Sequence, residues 1–306
     1  MKFPFSGVQV LCAATLLGAG ALLAGCASIA NGVAVVGETA GVITPQQGDS
    51  LRKVGDAVEK TFADITPEQE YYLGRAVGAT IVHKFKVYDN EVATRYINVL
   101  GQTLAAASER PETFGGWHFL ILDSDEINAF AAPGGFVFVS RGMLRLCKTE
   151  DDLAAVLAHE VGHVELQHAL RAIKGSRLTS ALTTLALESA KSLGGEALAQ
   201  VTEAFEGSIT DISGTLMNSG YARKQERQSD EVAIRVLKSV GYDPYALTRV
   251  LTEMQKHLEP GGHDFAATHP PPQDRVKDLK TMLGKTPAVE IPAVRTARFQ
   301  KALAGI

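Results

Sequence analysis

Apolar positions recur at helical spacing over most of this chain and crowd together at strand-like density in only two places. Leu153, Val156, Leu157 and Val164 line one face of a segment that Thr149 opens, with Glu150, Asp151 and Asp152 directly behind it. A threonine N-cap followed by carboxylates suits a helix start, where backbone N–H groups are free and the dipole is positive. Gly175 is the expected stop. Thr66-Pro67-Glu68-Gln69 carries a cap, a first-turn proline and a glutamine three residues on, which predicts a helix to about Lys84. Asp89 or Asn90 begins another, to about Ser108. Further helices are expected from about Ser219 to Val240, ending at Gly241, then from Asp243-Pro244 to about Leu258, with a last one from about Gln273. Leu51, Val54, Val58 and Phe62 predict a short amphipathic helix within 46–63, while the small-residue stretch 176–217 reads as either helical or mobile. Trp117–Leu122 is β-branched and aromatic, and Phe136–Val139 follows the turn signal Pro133-Gly134-Gly135. Together they predict a small antiparallel sheet beside helices, hence a mainly helical α+β fold.

The pattern changes at the N-terminus. Lys2 precedes an uncharged apolar run from about Val8 to Leu23, short for a membrane span and broken by Gly18, Gly20 and Gly25. It has the form of a secretory signal peptide. Its end, Leu23-Ala24-Gly25-Cys26, resembles a bacterial lipobox, in which the cysteine becomes the acylated first residue. The expected organisation is therefore a signal peptide over 1–25, a lipidated Cys26 with a tether to residue 45, and one domain over 46–306. Lipid on Cys26 would anchor the chain to a membrane facing the bacterial periplasm. Ala27 stands where an aspartate would resemble an inner-membrane retention signal, which tilts the expectation to the outer membrane. With Cys12 lost and Cys26 acylated, Cys147 in Met143-Leu144-Arg145-Leu146-Cys147 is left as a buried apolar filler. The 306 residues carry 45% hydrophobic and 21% charged side chains and a net charge of −4, ordinary for a globular protein. No basic stripe is present, which argues against nucleic acid as a partner.

Chemistry concentrates in His159-Glu160-Val161-Gly162-His163. Two imidazoles four residues apart stack on one helical face and reach a single metal ion, while the glutamate between them is offset by about 100° and is free to handle protons. That spacing is the zinc-peptidase arrangement. Zinc held by two histidines needs a third protein ligand and an open position. His168 is nine residues from His159, about 180° around a continuing helix, and is expected to be structural. The pattern with a third histidine six residues beyond the second is absent, because Leu166 and Ala169 occupy its glycine and histidine positions. Glu226 and Asp230 share one face of the 219–240 helix. Glu226 suits the third ligand and Asp230 suits an acceptor for a liganding imidazole's free N–H.

These segments together resemble peptidase family M48, zinc metallopeptidases that pair H-E-x-x-H with a downstream glutamate ligand in E-x-x-x-D. Asn128-Ala129-Phe130-Ala131-Ala132-Pro133-Gly134-Gly135 is similar to a family stretch preceding an edge strand, and Leu153–Glu160 is similar to the family's metal-site helix. Gln225–Asp230 with Gly241-Tyr242-Asp243-Pro244, and Thr268-His269-Pro270 with Arg275, match two further elements. Ser229 departs from the usual alanine before the aspartate. The resemblance implies a zincin-type fold with its sheet beside the H-E-x-x-H helix. It implies one Zn2+ per chain on His159, His163 and Glu226, with Glu160 as general base in peptide-bond hydrolysis. It also implies polypeptide substrates, envelope quality control and a link to envelope-assembly machinery. His269 would lie near the site, stabilising the oxyanion, filling the open zinc position, or stabilising a proline-rich turn. Arg275 would be an ion-pair partner, or would position substrate or His269. The Phe136–Val139 strand is expected either to bind an extended peptide or to be an ordinary core strand. The other function class in view is a latent or non-catalytic, chaperone-like lipoprotein that keeps the zinc fold.

Overall fold

The computed structural model describes residues 44–45, 65–173, 206–257, 269, 271–287 and 289–306. The chain forms two compact units, Met1–Ile65 and Thr66–Ile306, and every element below belongs to the second. The signal peptide, Cys26, the tether up to residue 43 and the helix expected within 46–63 lie outside the described residues. So do residues 176–205 of the small-residue stretch, although 206–214 are helical.

Local signals account for the first helices. Helix α1 (Pro67–Phe85) starts at a capping box, with Gln69 N donating to Thr66 Oγ1 at 3.2 Å and Thr66 N donating to Gln69 Oε1 at 2.9 Å. Helix α2 (Glu91–Ala106) is capped by Asn90. Strands β1 (His118–Leu122), β2 (Ala129–Ala132) and β3 (Phe136–Ser140) then form one sheet in the order β1-β3-β2. The expected all-antiparallel sheet is corrected here: β3 pairs antiparallel with β2 but parallel with β1. Side-chain alternation reports which face is buried and carries no information on strand direction. The alanine-rich β2 has weak strand propensity and was not recognised. It becomes a strand because all four of its residues are buried beside the central helix. Its hairpin with β3 turns at Pro133–Gly135, where Gly134 has φ 76° and Gly134 N donates to the buried Glu70 of α1 at 2.9 Å.

Ser140 ends β3 and caps the short helix α3 (Arg141–Leu146). Helix α4 (Glu150–Glu165) follows, and every residue from Glu150 to Val164 is buried. A helix covered on all sides lies at the centre of a fold; α4 is packed by α2, β2, β3 and the later helices α5 (Arg223–Val240) and α6 (Ala246–Met254). Its crossing with α5 is close: a Cβ on Gly162 would come within 3.1 Å of Ser229 Cα. Cys147 is buried in this core, as expected, and burial pushes its thiol pKa up.

Helix α4 ends ten residues before the expected stop at Gly175. Glu165 accepts from Arg235 Nη2 at 2.6 Å and Glu109 N at 2.9 Å, and Gln167 turns left-handed at φ 54° while its amide donates to Glu70 at 3.2 Å. Tertiary partners, not a glycine, stop this helix. Helix α5 starts at Arg223, after a π-helical turn at Thr215–Ser219, and ends at Gly241 as expected. Helix α6 starts later than expected, because Asp243 turns its side chain onto Tyr245 N and Arg249. Helix α7 (Pro272–Leu283) is not the last: α8 (Ala293–Ala302), which periodicity did not reveal, packs against α2 and α4.

Candidate metal centre

Three elements bring the sequence-chosen residues together. Helix α4 supplies His159, Glu160 and His163, α5 supplies Glu226 and Asp230, and α7 with the residues just before it supplies Arg275 and His269. All seven are buried.

His159 Nε2 and His163 Nε2 are 3.1 Å apart. Glu226 places Oε2 3.4 Å from His159 Nε2 and Oε1 3.3 Å from His163 Nε2. His269 Nε2 is 3.6 Å from Glu226 Oε1, and one ligand atom from each of these four residues lies within 4.8 Å of the others. Bonds of about 2.0–2.1 Å to a tetrahedral zinc require ligand atoms roughly 3.3–3.4 Å apart, so the cluster has the dimensions of such a site. Its hydrogen bonding agrees: among the described residues none gives either Glu226 oxygen a well-aligned hydrogen bond, despite its complete burial. Two nitrogens and a carboxylate converging without donors between them are costly unless a cation sits there.

Electrostatics prepare the ligands. Burial, with neighbouring positive groups, pushes His163 down to about 4 and His269 well below the ordinary range, so both present the neutral ring that binds metals. Glu226 stays ionised: burial opposes its charge, but His269 and Arg275 outweigh burial and hold its pKa well below the ordinary value. His159 behaves differently. Burial and Arg275 lower its pKa, but the Asp230 and Glu226 carboxylates outweigh them and bring it to about 9.

The candidate ligands on α4 and α5 each touch a further residue. Asp230 Oδ1 accepts from His159 Nδ1 at 2.9 Å. Arg275 grips Asp230 with Nη2 at 2.5 Å and Nε at 3.1 Å, and its Nη1 lies 3.2 Å from Glu226 Oε2. It is an ion-pair partner to both carboxylates. His168 corrects the expectation that it points away. Because α4 ends before it, the chain folds back, with His168 N bonded to His163 O at 3.0 Å, and its fully buried ring sets Nδ1 3.0 Å from His163 Nδ1. Ser229 Oγ, at the position that departs from the family pattern, lies 3.4 Å from the same His168 atom.

Tyr221 was missed altogether. Its ring stacks on His163 with centroids 4.2 Å apart and planes 20° apart. A lone tyrosine ahead of a helix carries no sequence signal of its own; only its position five residues before Glu226 hinted at it. Glu160 sits beside the cluster with Oε1 lacking a hydrogen-bond partner among the described residues. Burial foremost raises its pKa to about 7.

Comparison with known proteins agrees with this geometry. The family model "Peptidase family M48" matches residues 91–283. The beta-barrel assembly-enhancing protease of Escherichia coli (strain K12) is 27% identical over 249 residues, covering 79% of this chain and 49% of its own length. The mitochondrial metalloendopeptidase OMA1 of Schizosaccharomyces pombe is 31% identical over 173 residues, 55% of this chain and 47% of its own. Metalloprotease LoiP of Escherichia coli (strain K12) is 24% identical over 163 residues, 53% of this chain and 61% of its own. The chain thus spans about half the length of the first two of these relatives.

Proposed function

The chain belongs to peptidase family M48, and from that membership we propose that it is a zinc-dependent endopeptidase of the bacterial envelope that cleaves unfolded or misassembled envelope proteins. The observation that carries the reading is the convergence of His159, His163 and Glu226 on one buried point, with Glu160 alongside. Zinc on these ligands would polarise the scissile carbonyl and acidify the attacking water. Glu160 takes a proton from that water and passes it to the leaving amine. A carboxylate raised to about 7 suits both tasks near neutral pH. Asp230 and Arg275 keep His159 and Glu226 in place through the reaction.

The strand expected to bind an extended peptide is reassigned. β3 is the central strand, with β1 and β2 on its two edges, so Phe136–Val139 has no edge to offer. β2 is the outer strand beside α4. We assign peptide addition to β2, through backbone hydrogen bonds that tolerate many side chains.

His269 is read as a fourth ligand that holds the enzyme latent, since its ring joins the other three within the same 4.8 Å. This position also favours the second reading, a chaperone-like protein with a closed zinc site. The envelope setting draws support from the bacterial relatives and from the lipobox-like Leu23–Cys26. A lipid on Cys26 would place the domain at the periplasmic face of the outer membrane; among the described residues no helix is long and apolar enough to cross a membrane. The beta-barrel assembly role in one relative's name makes envelope-assembly machinery the partner to test.

The test is direct. Zinc-loaded protein is incubated with an unfolded substrate and fragments are read by mass spectrometry, beside His269→Ala and Glu160→Gln. His269→Ala should raise basal cleavage and Glu160→Gln should abolish it with zinc retained. Cleavage that falls in His269→Ala would assign His269 to the oxyanion instead. No cleavage by any form would leave the chaperone-like reading.

A further inference from the structure

We propose that Tyr221 is a catalytic residue: its phenol hydroxyl donates a hydrogen bond to the carbonyl oxygen that gains charge when water adds to the scissile bond. The inference rests on the peptidase reading above and adds a residue that this reading leaves out.

Tyr221 is only 8% exposed, and its hydroxyl finds no hydrogen-bond partner among the described residues. Buried phenols almost always have one. The stack on His163 holds the ring flat against a metal ligand, leaving the hydroxyl little freedom to seek a partner elsewhere. A phenol O–H without a partner among the described residues is free to donate to a bound molecule.

The backbone independently marks this position. Residues 215–219 form a π-helical turn, closed by Gly220 N donating to Thr215 O at 2.8 Å, and Gly220 takes φ 67° before Tyr221. Such turns are rare and concentrate at functional sites. This one packs against β2, the strand assigned to substrate, and leads directly into Tyr221. Arg275 is engaged with Asp230 and Glu226, and His269 lies within the ligand cluster.

In the step proposed, the water oxygen bonds to the carbonyl carbon while the C=O π pair moves onto oxygen, and one water proton goes to Glu160. Tyr221 donates its hydrogen bond to that oxygen and keeps its own proton. When the pair returns to re-form C=O, the C–N bond breaks and Glu160 gives the proton to nitrogen.

Tyr221→Phe keeps the stack and removes only the hydroxyl. In the zinc-loaded full chain, zinc per chain should not change, kcat should fall about 10²–10³-fold, and KM should stay within about threefold, because the bond forms only in the transition state. A phosphinic peptide, whose tetrahedral anion mimics the charged oxygen, should bind about 10–100-fold more weakly. A reduced-amide analogue lacking that oxygen should bind equally well. Unchanged kcat and unchanged phosphinic-peptide affinity would reduce Tyr221 to a packing ring and overturn the inference. Should neither the unsubstituted protein nor His269→Ala cleave anything, the peptidase reading fails, and the phosphinic-peptide affinity still decides for or against the hydroxyl.

Discussion

Helix α4 buries carboxylates toward both of its ends, yet it satisfies them differently. At its start, Glu150 accepts from Tyr96 OH at 2.9 Å, from Tyr242 OH at 2.7 Å and from Arg298. Asp151 accepts through Oδ1 from Asp243 N at 2.9 Å and Arg295 Nη1 at 3.2 Å, with only Oδ2 left over among the described residues, and Asp152 accepts from Thr149 N at 3.0 Å and Arg249 Nε at 3.1 Å. Roughly 14 Å further along the helix, Glu160 Oε1 and Tyr221 OH lack a hydrogen-bond partner among the described residues, and neither Glu226 oxygen receives a well-aligned one, although Arg275 pairs with Oε2 at 3.2 Å. Burial therefore does not mark function in this protein. The first cluster is a joint: α8 reaches across with Arg295 and Arg298, and Arg295 also donates to Gly241 O at 2.9 Å, tying the start of α4 to the end of α5. The second cluster leaves polar atoms unpaired at a cost that only a cation and a substrate would offset.

Substitutions at the two ends should separate these roles. The largest effect is expected at Glu160→Gln: cleavage falls by about 10³-fold with zinc content and melting temperature unchanged. Loss of zinc in that variant would contradict its role as a base. Next comes Glu226→Ala, which should release zinc, so that a chelator lowers the melting temperature of the unsubstituted protein but not of the variant. At the other end, Glu150→Ala should lose about 2 kcal/mol in urea denaturation, because the buried Tyr242 hydroxyl and the half-buried Tyr96 hydroxyl are left without this acceptor, while zinc per chain stays the same. A variant that lost zinc instead would erase the division between joint and site.

A smaller, pH-dependent effect belongs to Arg298→Ala. Burial raises the Glu150 pKa, but Arg298, Tyr242 and Tyr96 outweigh burial and leave the carboxyl below its usual value. A depressed carboxyl stabilises the fold above the ordinary glutamate value of about 4.3, and that stability is lost as pH falls through the folded value. The stability difference between the two proteins should therefore be flat near neutrality, about 0.5–1 kcal/mol for a half-exposed arginine, and should shrink as the pH drops below about 4.3. Least of all, Arg95→Ala breaks an exposed pair with Glu91 on α2 and should change stability by no more than about 0.5 kcal/mol.

Much of this was legible along the chain. Thr66 and Thr149 as caps, Gly241 as a stop, His159 and His163 on one face, and Glu226 with Asp230 on another all follow from neighbours three or four residues apart. The misses share a cause. His168 was placed by continuing α4 past Glu165, whereas Arg235 and Glu109, remote in sequence, hold that end. β2 has weak strand propensity and was built by its neighbours. Tyr221 reaches His163 across fifty-eight positions of chain, through a π-helical turn that no periodicity announces.

The sequence by itself determined most of the helices and the faces that carry His159 with His163 and Glu226 with Asp230, because helical spacing converts positions directly into a shared direction. Tertiary structure alone decided that His269 joins those ligands, that Arg275 grips both carboxylates, that β3 is central and not an edge, and that Tyr221 is left with a hydroxyl to offer. These are meetings between segments far apart in the chain. They are settled by which surfaces can be buried together, a matter on which local spacing is silent.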